Sequence, residues 1–322
     1  MKFFKDIKSI LQLVILLFVL FALILGFIYV SNTNRQQEDS NIVKKTEVNA
    51  NVSQEYEGIK IGLALGGGGA KGFAHIGVIK VLQENHIPIQ IVTGTSAGSV
   101  VGALFSYGFN AESIQRILKD VRYALIDFSL SSNGFIEGEK LRELVNKNIH
   151  NLPIESLTKK FGAVATDFSS GDVVMFTEGD VGQAVRASSS VPAIFQPAKI
   201  NGRLYIDGGL TAPVPVSQAR SMGADVVIAV DISDKPTEEG KGTFHQPNSW
   251  FSTLDQSVII LLNTQLKKEL EQADVIIRPD LTDIPFFNFF IMDATIKAGE
   301  EAAKAALPKI KQVIKQAQKR KK

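Results

Sequence analysis

The chain has 322 residues, of which 45% are hydrophobic and 21% charged, so it can form a globular core in one large domain or two small ones. It contains no Cys, which excludes disulfides, thiolate nucleophiles and thiolate metal sites. Its four His residues lie far apart, and no two have the H-E-x-x-H spacing of a zinc site. We therefore do not expect a metal enzyme.

The N-terminal segment combines a basic start with a long apolar run. Eighteen residues from Leu13 to Val30 carry no charge, which is about the length needed to cross a bilayer. The run ends in FIYVSN and not in the small residues of a cleavage site, which favours an anchor that is not removed. Three Lys residues precede the run and only Arg35 follows it closely, so the positive-inside rule predicts a cytoplasmic N-terminus. Residues 1–30 are thus expected to be the transmembrane signal anchor of a single-pass cell membrane protein whose main domain is extracytoplasmic.

Residues 31–57 are rich in Asn, Gln, Ser, Glu and Lys and are predicted to form a flexible linker, because they cannot bury enough apolar surface to fold. The pattern of a folded domain begins at residue 58. The run IKIGLAL, starting at Ile59, has the character of a buried strand and ends in four glycines. A helical segment, the strand-like IQIVTGT and a helical pattern from Ala97 to Ser106 follow. This β-α-β-α order predicts a parallel sheet.

Strands and helices continue to alternate toward the C-terminus. Further strands are predicted at Gly162–Thr166, Val173–Thr177, Arg203–Ile206, Val226–Val230 and Val275–Ile277. Further helices are predicted at Gly138–His150, Val214–Ser221 and Leu254–Gln272. The predicted class is α/β, with helix, sheet and helix in three layers around a mainly parallel central sheet, over residues 58–300.

Residues 301–322 are predicted to be a basic C-terminal helix or tail. Eight of them are Lys or Arg, and no acidic residue follows Glu301. Such a segment can be attracted to anionic lipid or nucleic acid, or it can be a solvated helix end. We favour the solvated helix end and predict no nucleic-acid partner.

The segment Pro285–Met292 reads PFFNFFIM and has four Phe residues within five positions. It can form a lipid-facing patch, because such a run is costly on an ordinary soluble surface. It can equally pack in the core. The sequence leaves both interpretations open.

The pentapeptide Gly94–Gly98 matches G-x-S-x-G, the turn that places a serine between a strand and a helix. The residues before Ser96 are strand-like and those after it helix-like, as this elbow requires. A helix that begins beside Ser96 also favours negative charge at that position. Ser96 is therefore the candidate nucleophile.

A glycine-rich turn, GGGGAKG, joins the first predicted strand to the next helix at residues 66–72. Backbone N–H groups in such a turn can point at one anion. A Walker phosphate loop would need Ser or Thr after Lys71, and a dinucleotide site would need an acidic residue about twenty positions on. Neither is present, so an oxyanion hole is the better interpretation.

A third element, Asp207 followed by Gly208 and Gly209, comes directly after the strand-like RLYI. The glycines allow the turn to present the carboxylate without bulk. Taken alone, this pattern is more typical of an Asx turn.

Together these three elements resemble the patatin-like phospholipase family, because the glycine loop, the serine elbow and the D-G-G turn occur in the family's order. The run ASSSVPAIF, residues 187–195, is also similar to the family's A-S-x-x-x-P-x-x-F segment. The resemblance extends roughly from Lys60 to Ser233. It implies a Ser-Asp dyad on a parallel-sheet core that hydrolyses acyl esters of membrane lipids without metal or cofactor.

By motif matching, Ser96 is the nucleophile and Asp207 the general base. The resemblance assigns the oxyanion and substrate contacts to Gly67, Gly68, Gly69, Lys71 and Ala97. Such chemistry is reasonable without a histidine, because a carboxylate in a partly desolvated pocket has a raised pKa and can accept the serine proton.

The order Ser96, Asp207, His245 also suits an α/β-hydrolase triad. His245 lies in a polar stretch with Gly and Pro that predicts a loop, which favours the dyad but leaves the triad as the alternative. His75 is predicted to be a packing residue. The carboxylates expected to serve as caps or turn residues are Asp167, Asp225 and Asp231.

The sequence thus predicts a membrane-anchored lipid acyl hydrolase whose catalytic domain spans 58–300. A second hypothesis is a catalytically silent or regulatory membrane protein that retains the fold. A third is a nucleotide-binding protein that uses the glycine loop. Lipid class and head-group preference leave no readable pattern.

Overall fold

A computed structural model describes residues 58–119, 121, 128–131, 134–233 and 263–321. The predicted anchor 1–30, the predicted linker 31–57 and His245 lie outside the described residues. Within the described ranges, no helix is long and apolar enough to span a bilayer. The described residues belong to one compact unit.

The strands include every one predicted from the sequence, with shifts of one or two residues at some ends. Their bounds are β1 Ile61–Leu65, β2 Ile89–Thr95, β3 Phe128–Ser131, β4 Gly134–Ile136, β5 Lys160–Asp167, β6 Val173–Phe176, β7 Ala198–Ile200, β8 Arg203–Asp207, β9 Val226–Val230 and β10 Val275–Ile277. Three of these, β3, β4 and β7, were not predicted.

The central sheet has the order β10-β9-β1-β2-β5-β8-β7, with β6 also paired to β5. The first five strands of that order pair in parallel, whereas the pairs β5–β6, β5–β8 and β7–β8 are antiparallel. Strands β3 and β4 form a separate antiparallel pair. The sheet is therefore mainly parallel but mixed, and its antiparallel part follows β5.

The helices predicted from the sequence are present where the structure describes them, and residues 254–262 of the predicted helix Leu254–Gln272 lie outside the described residues. The helices Ala111–Leu118 and Val181–Ser188 were not predicted. Their bounds are α1 Ala74–Glu84, α2 Ala97–Tyr107, α3 Ala111–Leu118, α4 Glu139–Asn148, α5 Val181–Ser188, α6 Val216–Ser221, α7 263–270 and α8 Met292–Lys321. Short 3-10 helices occupy Gly69–Phe73, Ile154–Ser156 and Gly208–Leu210.

Helices cover both faces of the sheet. On one face, Ala64 and Val227 pack with residues of α6 and with Leu266 of α7. On the other face, α2 approaches so closely that a Cβ at Gly102 would lie 3.1 Å from Val92 Cγ1. The predicted three-layer helix, sheet and helix arrangement is present.

Helix α8 crosses α1 at a contact that requires glycine. A Cβ at Gly299 would lie 2.0 Å from the Ala74 carbonyl oxygen, and one at Gly77 would lie 2.0 Å from the Ile296 carbonyl oxygen. The close crossing explains why both helices carry glycine at this level.

The same helix continues through the predicted boundary at residue 301. Ile310 and Ile314 are fully buried, and Lys321 Nζ donates to the Gly58 carbonyl at 3.0 Å and pairs with Asp225 at 2.6 Å. The basic segment is thus part of the folded unit, because its apolar side packs on the domain.

Candidate active site

Ser96 lies at the turn between β2 and α2, with φ 52° and ψ −123°. A positive φ is unusual for a residue with a side chain and marks local strain at a turn that the surroundings hold in place. The flanking glycines are required by packing, since a Cβ at Gly98 would lie 2.2 Å from the Leu65 carbonyl oxygen and one at Gly94 would lie 2.5 Å from the Gly98 carbonyl oxygen. The predicted strand–serine–helix elbow is therefore present.

Hydrogen bonds fix the backbone of Ser96. Its N–H donates to Ser188 Oγ at 2.9 Å, and that hydroxyl donates to the Val164 carbonyl at 2.5 Å. The Ser99 hydroxyl donates to the Ser96 carbonyl at 2.6 Å. Sequence reasoning did not single out Ser188, although the ASSSVPAIF segment that contains it was recognised as a motif.

The register of the sheet brings Asp207 to Ser96. Thr95 of β2 pairs with Val164 of β5, while Asp207 of β8 pairs with Ala165 of β5. Ser96 and Asp207 thus leave the sheet at the same level on the two sides of one strand. A Cβ at Gly208 would lie 2.1 Å from the Val164 carbonyl oxygen, so the turn after Asp207 also needs glycine.

The Asp207 carboxylate is buried and incompletely hydrogen-bonded. Its Oδ1 accepts the Gly209 N–H at 2.7 Å, whereas Oδ2 has no hydrogen-bond partner of normal geometry within the described residues. The Ser96 hydroxyl lies close enough to lower the pKa of Asp207, yet it does not have the geometry of a normal hydrogen bond to Oδ2. The side chains of Ser96 and Asp207 are therefore neighbours that no hydrogen bond of normal geometry joins.

Burial raises the pKa of Asp207 to about 6, although the Ser96 hydroxyl and the Gly209 N–H act in the opposite direction. Loss of hydration disfavours the charged carboxylate more than these two donors stabilise it. A carboxylate that titrates near neutral pH can both accept and return a proton.

The glycine turn lies against Ser96. A Cβ at Gly67 would lie 3.1 Å from Ser96 Cβ. The Gly66 N–H donates to the Val230 carbonyl at 3.1 Å, and the Gly67 N–H donates to the Pro213 carbonyl at 3.0 Å. The Gly67 N–H, predicted as an oxyanion donor, is therefore already engaged, which argues against that role.

The next two N–H groups of the turn, those of Gly68 and Gly69, donate to no acceptor within the described part of the chain. Gly69 has φ +58°, and a Cβ there would lie 2.4 Å from the Phe286 carbonyl oxygen. That carbonyl accepts the Ala70 N–H at 2.8 Å. The Phe-rich segment thus holds one side of the glycine turn.

Lys71 is buried and lines a cavity together with Ser96 and Asp207. Ala97 begins α2 directly after Ser96, and its Cβ would lie 2.6 Å from a Cβ added at Gly72. The structure therefore brings all the predicted site residues to one region.

Two cavities of about 250 Å³ each meet at Ser96, Val191 and Phe286. The first has an almost entirely apolar wall. Besides the three shared residues it is lined by Gly69, Phe73, Ala97, Val100, Val101, Leu118, Val121, Ile136, Leu141, Ser189, Ile194, Phe195, Phe287 and Phe289. The second contains polar groups. Its further lining residues are Gly67, Gly68, Lys71, Pro192, Asp207, Gly209, Leu210, Pro213, Ile232, Ser233, Asn263 and Leu266. Ser96 therefore lies where two largely apolar cavities meet, and only the second of them also contains Lys71 and Asp207.

His75 is fully buried in α1 and takes no direct part in this site. Its Nε2 hydrogen-bonds the Gly66 carbonyl at 2.8 Å. Burial lowers its pKa to about 4, so the ring is neutral at physiological pH and Nε2 is the donor. As predicted, it is a packing residue, and it also supports the glycine turn.

The other candidate carboxylates organise turns or charged contacts away from Ser96. Asp167 accepts the N–H groups of Ser169 and Ser170 at 2.9 and 3.1 Å. Asp231 accepts the Arg278 Nε–H at 2.7 Å, and Asp225 accepts the Lys60 N–H at 2.8 Å. Within the described ranges, no group of three or more His, Cys, Asp or Glu residues could hold a metal ion.

Residues 63–220 match the family model described as patatin-like phospholipase. An uncharacterized NTE family protein of Mycobacterium tuberculosis is 33% identical over 217 residues, which cover 66% of this chain and 60% of that protein. The lysophospholipase NTE1 of Coccidioides immitis is 36% identical over 195 residues, covering 58% of this chain and 12% of that protein. The VipD structure from Legionella pneumophila has a TM-score of 0.46 and 15% identity, with 78% of this chain and 67% of that one covered.

The fold and the site define a mixed α/β protein. A strand–serine–helix elbow, a glycine turn and a buried aspartate come together where the strands β2, β1 and β8 end. Residues 63–220 of this chain therefore belong to the patatin-like phospholipase family. The chain spans about 60% of the length of the mycobacterial relative.

Proposed function

We propose that this protein is a serine hydrolase of lipid acyl esters, with Ser96 as nucleophile and Asp207 as general base. One observation carries the proposal. Ser96 lies where an almost entirely apolar cavity meets a second cavity that also contains Lys71, and it lies beside a buried carboxylate whose pKa is raised to about 6. An ester nucleophile needs such a proton acceptor, and a lipid substrate needs an apolar space for its acyl chain next to a space that also offers polar contacts.

In the proposed first step, the Asp207 carboxylate takes the proton of Ser96 Oγ as that oxygen bonds to the ester carbonyl carbon. The carbonyl oxygen becomes an oxyanion, which the N–H groups of Gly68 and Gly69 and the N-terminal end of α2 stabilise. The Gly67 N–H is left out because it donates to Pro213. Each such donor contributes about 3 to 4 kcal/mol in acyl hydrolases of known mechanism.

The tetrahedral intermediate then loses its alcohol. The bond between carbonyl carbon and alcohol oxygen breaks, and the proton on Asp207 passes to that oxygen. Ser96 keeps the acyl group as an ester. A water molecule, deprotonated by Asp207, attacks this ester and releases the fatty acid and the free serine hydroxyl.

The two cavities suggest how the substrate lies. The acyl chain would occupy the apolar cavity, and the alcohol part with its polar head group would occupy the cavity that contains Lys71. Both a phospholipid and a lysophospholipid meet this description. The relative named as a lysophospholipase supports the lipid ester class.

We also propose that residues 13–30, outside the described residues, anchor the protein in the cell membrane with the catalytic domain on the extracytoplasmic side. The support is the uncharged eighteen-residue run and the preceding Lys residues. Alkaline carbonate washing of membranes tests the anchor. We expect the full-length protein to stay in the pellet, and recovery in the supernatant would contradict it.

Fatty acid release from phosphatidylcholine and lysophosphatidylcholine tests the proposed activity. We expect release by the full chain in the presence of EDTA and none by a folded Ser96→Ala variant. His245→Ala should retain nearly full activity, because the dyad needs no histidine. An inactive but folded His245→Ala would favour the triad, and an inactive wild-type protein would favour a catalytically silent relative.

A further inference from the structure

The Phe-rich segment has rings that face in two directions. Phe286 and Phe289 are partly buried, and the Phe289 ring contacts the Phe73 ring edge to face with centroids 6.1 Å apart. Phe287 and Phe290 are 60% and 79% exposed. The sequence left core packing and a lipid-facing patch open, and the structure shows elements of both.

One of the exposed rings, Phe287, lies at the mouth of the apolar cavity, and Phe290 follows it three residues later in the same segment. Phe287 lines that cavity and is also largely exposed, so the apolar wall continues from beside Ser96 to the protein surface. An apolar cavity that opens beside an exposed aromatic ring fits an entering acyl chain. A chain that leaves a bilayer at this point would stay in apolar surroundings all the way to Ser96.

Charge around the patch favours a neutral surface as the partner. From Pro279 to Ile296 the sequence contains three Asp residues and no Lys or Arg. The cations at the C-terminal end of α8 are near Gly58, which Lys321 contacts at 3.0 Å. That end is separated from Met292 by the 30-residue helix, about 45 Å at 1.5 Å per residue. Attraction of anionic lipid to those cations would therefore act far from the cavity mouth.

We propose that Phe290, together with Phe287, inserts into the interface of a zwitterionic phospholipid bilayer and seats the mouth of the apolar cavity on the lipid. Aromatic rings are favoured at the interface between head groups and acyl chains. The inference rests on the proposed function for its substrate, but the contact itself can be measured without catalysis. Phe286 is unsuitable for a test because it lines both cavities at Ser96, so its substitution would also change the site.

A probe at position 290 tests the contact directly. Because the chain has no Cys, Phe290→Cys in the full chain gives one labelling site for an environment-sensitive fluorophore. Phe168→Cys is the matched control, since Phe168 is 56% exposed and lines neither cavity. In phosphatidylcholine vesicles with brominated acyl chains, we expect strong quenching at position 290 and little at position 168.

The expected quenching does not depend on sodium chloride or on added anionic lipid, because apolar burial and not charge makes the contact. Equal quenching at both positions, or none at position 290, would overturn the proposal. Quenching that appears only with anionic lipid would also overturn it.

Activity gives a second, independent readout. Phe290→Ser should lower hydrolysis of vesicle phospholipid at least tenfold while leaving hydrolysis of a soluble short-chain ester unchanged, and Phe168→Ser should change neither. Equal rates on vesicles for wild type and Phe290→Ser would overturn the proposal. If wild type hydrolyses neither substrate, the proposed function fails, whereas the quenching result still decides the bilayer contact.

Discussion

Two buried carboxylates at the ends of neighbouring strands have opposite environments. Asp167 ends β5 and is 2% exposed, while Asp207 ends β8 and is 6% exposed. The N–H groups of Ser170 and Ser169 lower the pKa of Asp167, and the charge of Arg203 adds to this effect. Burial raises the pKa of Asp207 to about 6, since its donors do not compensate for the lost hydration. Low exposure alone therefore does not raise the pKa of a carboxylate. The pKa rises only where the lost hydration outweighs the hydrogen bonds that the protein donates to the carboxylate.

The largest expected effect is on turnover. Asp207→Asn should lower kcat/KM for ester hydrolysis by about 10²- to 10⁴-fold, because it removes the proton acceptor. Asp167→Asn should stay within a few-fold of wild type, since Asp167 only organises a turn. Circular dichroism must show that both variants are folded. Equal losses of kcat/KM in the two variants would contradict the different roles given to Asp207 and Asp167.

The pH dependence of kcat/KM follows from the same difference. Only ionised Asp207 can accept the Ser96 proton, so the rate should rise with pH through about 6 and then level off. At pH 4 it should be about one hundredth of the plateau, as expected for a base two pH units below its pKa. Asp167→Asn should show the same curve. A flat profile between pH 5 and pH 7, or an inflection that moves in Asp167→Asn, would contradict the assignment.

The ionisation of Asp207 and that of Asp167 should change the free energy of unfolding in opposite directions. An unfolded Asp titrates near 3.9 and folded Asp207 near 6, so the unfolded chain loses this proton first as the pH rises. The free energy of unfolding falls across that interval, by at most about 3 kcal/mol. Asp207→Asn should therefore melt higher than wild type at pH 8, and the difference should disappear at pH 4 and below.

The sign reverses for Asp167, whose folded pKa lies below its ordinary value. Its charge adds stability above about pH 4, and that contribution is lost as the pH falls through the folded pKa. Asp167→Asn should thus melt lower than wild type at pH 8. Thermal unfolding of the full chains at pH 8 and pH 4 measures both shifts, and shifts of the same sign at pH 8 would refute this account.

A smaller effect on kcat/KM is expected at the adjacent residues Ser188 and Ser189, because only the Ser188 side chain makes hydrogen bonds within the described residues. Ser188 Oγ accepts the Ser96 N–H and donates to Val164, whereas the buried Ser189 Oγ has no hydrogen-bond partner within the described residues. Ser188→Ala should lower kcat/KM about tenfold, because it leaves the Ser96 N–H without an acceptor and loosens the elbow. Ser189→Ala is the control. Because Ser189 lines the apolar cavity, both variants are compared on a soluble short-chain ester, on which Ser189→Ala should change little. If the two variants behave alike, the Ser188 contact does not position Ser96.

Much of the fold could be predicted because β1, β9 and β10 are short, uniformly apolar runs. The bounds of β9 and β10 agree with the prediction to the residue. Strand β7 was missed because its three residues, Ala198–Ile200, carry too little pattern, and its neighbour β8 gave no signal of its antiparallel direction. Direction depends on pairing with distant residues, which local sequence does not encode.

The site was predictable where backbone geometry demands a residue type, as at the glycines around Ser96. The engagement of the Gly67 N–H by Pro213 was not, because that contact joins residues far apart in the chain. The role of Ser188 was hidden for the same reason, since it contacts Ser96 from 92 positions away.

Covalent labelling tests the central claim, that Ser96 is a nucleophile activated by Asp207, most directly. The full chain at pH 8 is treated with a fluorophosphonate, and the modified residue is located by mass spectrometry of peptides. The account predicts a single adduct on Ser96, slowed by orders of magnitude in Asp207→Asn and formed at the wild-type rate in Asp167→Asn. An adduct on another residue, or equal labelling rates in wild type and Asp207→Asn, would contradict it.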